Sequence, residues 1–273
     1  MYRKSKLKLI LLLMSIGLIL GCQKDTPKDA IPDHENLTMK SNIINENRVI
    51  NIWTPPAYNN SEQSYPVLYM PDGGIQEDFP HIANTISKLV KQGDIAPVIV
   101  VGIENTERRR DLTGPSSVAS DAEIAPVSDG AGVFREFIRD ELFPEIKKRY
   151  RVTQQRAIVG ESAAGLFVVE TFFLNPEMFD IYLAMDPAIY WNDHDLVKKA
   201  PDRLKKMNDR QLKLWFAGSD AEDIFHDTEK LAKILQVDAP STITWTYLPQ
   251  PNEHHNTIFR ATKETAFKWG LWK

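Results

Sequence analysis

The run Arg156-Ala157-Ile158-Val159-Gly160-Glu161-Ser162-Ala163-Ala164-Gly165 constrains this chain more than any other stretch. Gly160 closes a short β-branched run, Ser162 follows two residues later, and a small-residue pair leads into a new apolar segment. A strand turning sharply into a helix reads this way when the turn lifts a serine hydroxyl clear of a sheet edge for nucleophilic attack. A plain helix N-cap would also place a serine there, so the surrounding segments have to decide. The usual elbow carries glycine two residues after the serine; here that position is Ala164, with Gly165 next.

The surrounding segments alternate between strand and helix. Val49–Thr54 alternates and stops at Pro55-Pro56, and Tyr65–Met70 stops at Pro71-Asp72-Gly73-Gly74, so both read as strands. Ile82–Lys91 reads as a helix, and Pro97–Ile103 as a strand buried on both faces. A polar stretch from Glu104 to about Ser128, containing Arg108-Arg109-Arg110-Asp111, reads as a long functional loop. Apolar residues at helical spacing mark Val133–Tyr150. After the elbow come a helix over Ala163–Leu174, a strand over Ile181–Met185 and a helix over Leu196–Met207. A strand over Leu212–Ala217, a helix to about Leu235, a strand over Thr242–Leu248 and an amphipathic terminal helix follow. This order predicts an α/β fold. Its central sheet is mostly parallel, with antiparallel N-terminal edge strands and helices on both faces.

The N-terminus is set apart. Arg3, Lys4, Lys6 and Lys8 precede an apolar run, Leu9–Leu20, too short for the roughly 20 residues that span a bilayer. It ends Leu18-Ile19-Leu20-Gly21-Cys22, which resembles a bacterial lipobox. Residues 1–21 are therefore expected to be a lipoprotein signal peptide, 22–36 a polar flexible tether, and 37–273 a single domain. Lipid on Cys22, of the palmitate kind, would hold the protein in the bacterial cell envelope, at the outer membrane. Gln23-Lys24-Asp25 resembles a surface-export signal. Cys22 is the one cysteine, which excludes an intramolecular disulfide and argues against a cysteine metal site. The net charge of −4 argues against nucleic acid as a partner. No metal is expected.

A serine hydroxyl needs a base, and the base needs an orienting group. The Gly218–Asp223 segment and Glu253-His254-His255 each follow a later strand, giving the order serine, acid, histidine. Asp220, Glu222 and Asp223 are open alternatives for the acid. The two adjacent histidines are alternatives for the base. An oxyanion also needs donors, for which the amides of Ala163 and Gly74 are the candidates.

The body from about Met39 onward resembles the esterase family that includes esterase D, the feruloyl esterases and the enterobactin-type siderophore esterases. The resemblance rests on several segments. They are Arg48–Tyr58, Tyr65–Gly74, Ile103-Glu104-Asn105-Thr106 with the arginines that follow, Glu141–Tyr150, Gly160–Gly165, Asn175–Phe179 and Glu253–Thr257. The resemblance implies a serine hydrolase of the α/β-hydrolase fold without a cofactor, and its closing motif places the base on His255. The expectation is a tethered hydrolase that cleaves a small-molecule or glycan-linked carboxylic ester through an acyl-enzyme on Ser162. A ligand-binding lipoprotein on a hydrolase scaffold and an acyltransferase are the alternatives. Arg108–Arg110 fit either an anion-binding role or a solvated loop paired with Asp111.

Overall fold

Strands written as unbroken apolar runs have to be covered on both faces, and this governs the architecture of the computed structural model. It describes residues 29–207 and 209–273. The signal segment, Cys22 and the first part of the expected tether lie outside the described residues. The strands are β1 (Glu35–Lys40), β2 (Asn47–Trp53), β3 (Tyr65–Met70), β4 (Ile99–Ile103), β5 (Val152–Glu161), β6 (Ile181–Met185), β7 (Leu212–Gly218) and β8 (Ile243–Pro249). They form one sheet in the order β1-β2-β4-β3-β5-β6-β7-β8. The β1–β2 and β2–β4 pairs are antiparallel, and every other pair is parallel. This is the mostly parallel sheet with antiparallel N-terminal edge strands expected from the alternating elements, and the α/β-hydrolase arrangement that the resemblance implies.

Period-two alternation divides each strand between two cores. Ile99, Val101 and Ile103 of β4 join one core while Val98 and Val100 join the other. Tyr182 and Ala184 of β6 likewise face away from Ile181, Leu183 and Met185. Helices α1 (Phe79–Gln92) and α8 (Ile258–Gly270) cover the second core. The first is covered by α3 (Gly130–Phe137), α4 (Phe143–Arg149), α5 (Ala163–Leu174), α6 (Trp191–Leu204) and α7 (Glu222–Asp238). A π-helical turn at Ile138–Leu142 joins α3 to α4, so the expected helix over 133–150 is continuous but locally widened.

Two stretches depart from the sequence reading. Glu104–Ser128 is not structureless, because α2 (Arg108–Leu112) and a 3-10 turn at Ala119–Glu123 lie within it. Strand β1 takes in Glu35 and Asn36, both assigned above to the tether. Its partner β2 supplies the ladder that draws them in.

The chain steps outward from β3 to β4 and then returns to β5 on the other side of β3. Such a reversal opens a crevice at the carboxyl ends of the strands, where ligands collect in open α/β sheets. The residues following β3, β5, β6, β7 and β8 all converge there.

Candidate active site

Ser162 sits between β5 and α5 with φ 58° and ψ −119°, a conformation that side chains rarely adopt. The neighbourhood compels it. The Ser162 N–H donates to the Met185 carbonyl (3.1 Å), and its own carbonyl accepts from Leu166 (2.8 Å) and Ala188 (3.1 Å). A Cβ on Gly160 would lie 2.6 Å from the Ala164 carbonyl, so β5 and α5 cross on a glycine. This accommodates the alanine at position 164: the fully buried Ala164 methyl faces Gly160. Gly165 instead faces the end of β6, where a Cβ would meet Met185 and Pro187 at 3.0 Å.

The histidine that reaches the serine is His255, with Nε2 at 3.0 Å from Ser162 Oγ. His254 turns outward, its Nδ1 paired with Asp220 at 2.7 Å and its side chain largely exposed.

The acid is where the sequence reading fails. His255 Nδ1 donates to Asp186 Oδ2 at 2.6 Å. Neither Asp220 nor Glu222 contacts it. Glu222 and Asp223 are exposed in the first turn of α7, where negative charge suits the helix dipole. Asp186 follows β6 and is fully buried at φ 48°. Strands β6 and β7 are in register at Met185 and Ala217, so the Gly218-Ser219 turn arrives beside Asp186. It supplies donors rather than an acid. The Ser219 amide donates to Asp186 Oδ1 and its hydroxyl to Oδ2, both at 2.7 Å. The missed signal was an aspartate closing a buried apolar strand, directly ahead of Pro187. The hydrogen bond that His255 donates to Asp186 raises the His255 pKa above its ordinary value, against burial, which lowers it.

The two candidate oxyanion donors part company. The Ala163 amide opens α5, where no carbonyl four residues back is available. The Gly74 amide, expected as the second donor, instead donates to Glu77 Oε2 at 2.7 Å and is not free to meet an oxyanion. The turn comes so close to β4 that a Cβ on Gly73 would overlap Ile103 N at 2.2 Å.

A cavity of about 150 Å³ opens beside Ser162 and Ala163, walled by Leu166, Ile124, Tyr190 and Trp191, with Arg108 and Arg109 also lining it. Arg108 makes a bidentate pair with Asp72 (2.6 and 2.7 Å). Arg109 donates to the Ile124 carbonyl. Arg110 turns away to Glu46 and Asp111. Arg110 thus makes the loop pairing with Asp111 anticipated for the run, while Arg108 and Arg109 line the cavity with their guanidinium groups held on Asp72 and the Ile124 carbonyl. Glu161, beside the serine, is pushed up to about 8, chiefly by burial. Among the described residues, no group of three or more His, Cys, Asp or Glu side chains is placed to hold a metal ion.

Residues 41–271 match the family model described as "Putative esterase". The chain belongs to this family. A curated member, the ferri-bacillibactin esterase BesA of Bacillus subtilis, is 31% identical over 219 residues, covering 70% of this chain and 72% of its own length. A crystal structure described as an IroE-like serine hydrolase from Shewanella oneidensis has a TM-score of 0.80 at 25% identity, covering 87% of this chain and 79% of that one. An enterobactin esterase from Shigella flexneri, solved in the presence of enterobactin, has a TM-score of 0.67 at 17% identity over 89% of this chain and 60% of its own. That last likeness concerns the fold alone. As a member of this esterase family the chain is a carboxylic ester hydrolase.

Proposed function

We propose that ester cleavage proceeds through an acyl-enzyme on Ser162, with His255 as general base and Asp186 as its orienting acid. The observation that carries this is the relay from Ser162 Oγ to His255 Nε2 (3.0 Å) and from Nδ1 to Asp186 (2.6 Å), in a strained elbow. With Nδ1 donating to the carboxylate, Nε2 is the free acceptor that a serine proton needs. Ser162 Oγ attacks the acyl carbon as His255 takes its proton. The negative oxygen of the tetrahedral intermediate meets the Ala163 amide. The imidazolium, held beside buried Asp186, then protonates the departing alcohol. Water, activated by the same histidine, attacks the acyl carbon, and Ser162 recovers its proton.

The relative named as a ferri-bacillibactin esterase supports a siderophore-type ester as the substrate class. The deciding experiment measures hydrolysis of short-chain p-nitrophenyl esters and of a catecholate trilactone by wild type and Ser162→Ala. Loss of turnover in the variant supports the reading, and equal turnover ends it. The lipobox-like segment supports a further proposal, that Cys22 is lipidated and tethers the enzyme to the cell envelope. Radiolabelled palmitate should enter the wild type and not Cys22→Ser.

A further inference from the structure

The leaving alcohol must come within reach of His255, which donates the proton to it. The cavity of about 150 Å³ contains Ser162 and Ala163 in its lining but not His255. Building on the Ser162 reading, the alcohol therefore lies on the His255 side and this cavity receives the acyl group. Its size is well below the roughly 300–1,000 Å³ of ordinary ligand pockets, so it fits a short acyl chain.

Behind it is a second cavity of about 250 Å³, between α5 and α6. Two residues line both cavities: Leu166 on α5 and Trp191 at the start of α6. The indole is 5% exposed, and its Nε1–H donates to the Gly114 carbonyl at 2.9 Å across a buried contact. The backbone beyond it is pinned as well. Asn192, Asp193 and His194 all have positive φ (52°, 50° and 61°), a run disfavoured for L-residues. Asn192 Oδ1 accepts from the Ser117 amide at 3.0 Å, and the Asn192 N–H donates to Asp121 at 3.0 Å. His194 is tied to Asp227 on α7. An indole held at its nitrogen and clamped behind by the next three residues is a fixed partition.

We propose that Trp191, with Leu166, sets the upper size of the acyl group this enzyme accepts, by walling the cavity beside Ser162 off from the one behind. Removal of the indole joins the two spaces into a pocket within the usual range for ligands. The walls of this second cavity include Leu174 and Leu196, which give a longer chain apolar contact beside the polar side chains of Glu170, Asp195, Lys199 and Arg203.

The test uses the full-length protein and a series of p-nitrophenyl esters from acetate to octanoate. The readout is the ratio of kcat/KM for octanoate to that for butyrate, which a purely structural defect would not move. Wild type should favour butyrate by at least about tenfold, and Trp191→Ala should raise the ratio by at least about tenfold. Leu166→Ala should move it in the same direction, and carries the test if Trp191→Ala does not fold. Wild type that turns over octanoate as well as butyrate would overturn the proposal. So would folded, active variants with an unchanged ratio. If wild type itself fails to exceed Ser162→Ala on every ester, the Ser162 reading falls and this proposal with it.

Discussion

Replacing Asp186 by asparagine changes one atom in a fully buried side chain that accepts three hydrogen bonds, from the Ser219 amide, the Ser219 hydroxyl and His255 Nδ1. An asparagine retains one acceptor oxygen and gains two N–H donors. If that oxygen keeps the Ser219 amide, the NH₂ group faces His255 Nδ1 and drives the proton to Nε2. The imidazole then presents a donor to Ser162 and cannot take its proton. If the oxygen turns to His255 instead, the NH₂ group meets the Ser219 amide, donor against donor, inside the protein. The first arrangement is the less costly, so kcat should fall about ten-thousand-fold, or about 5 kcal/mol of barrier. The residual rate of Asp186→Asn should have its acid limb at lower pH. The base is active when neutral, and the bond that raises the His255 pKa is gone. The assay is the pH–rate profile on p-nitrophenyl butyrate, with circular dichroism to confirm the fold. Asp220→Asn, which disturbs only the outward His254 pair, should stay within about threefold of wild type. A near-normal Asp186→Asn beside a disabled Asp220→Asn would refute the assignment of the acid.

Other outcomes follow from the same geometry. His255→Ala should reduce kcat by more than about a thousand-fold, while His254→Ala stays within about threefold, as steady-state kinetics will show. Gly160→Ala places a methyl 2.6 Å from the Ala164 carbonyl and should lower stability by about 1–3 kcal/mol in denaturant unfolding, with activity falling as the elbow shifts. Burial pushes Glu170 up to about 7, so the folded state retains a proton that the unfolded chain releases in the ordinary glutamate range. Stability should therefore decline as pH rises from about 5 to about 8. Glu170→Gln should flatten that decline by on the order of 1–3 kcal/mol, read from denaturation midpoints across pH.

Much of this was legible because the relevant signals are local. Val98–Val101 and Ile181–Met185 are apolar without interruption, so their burial in the middle of a sheet could be read directly. The spacing of Gly160 and Ser162 carried the elbow, and the paired histidines before the last helix were legible as candidates for the base, between which the resemblance chose His255. The acid was not legible, because its assignment depends on the relative reach of two neighbouring turns. Asp186 and Ser219 meet only through the β6–β7 register, which no single segment encodes. Gly74 misled for a related reason, since a Gly-Gly turn after a strand suggests free amides, and only the folded turn shows Glu77 curling back to take one. The left-handed turn at Asn192–His194 lies within what reads as the lead-in to an ordinary helix. Its cost is offset by contacts to Ser117, Asp121 and Asp227, which come from distant parts of the chain.

The most direct measurement is covalent labelling of the purified protein with a fluorophosphonate, followed by intact-mass and peptide-mass analysis. The account predicts one adduct, on the Ser162 peptide, formed rapidly in wild type and slowed at least about a hundredfold in His255→Ala, because the imidazole activates that hydroxyl. A protein that takes up no label, or one labelled equally fast without His255, would contradict it.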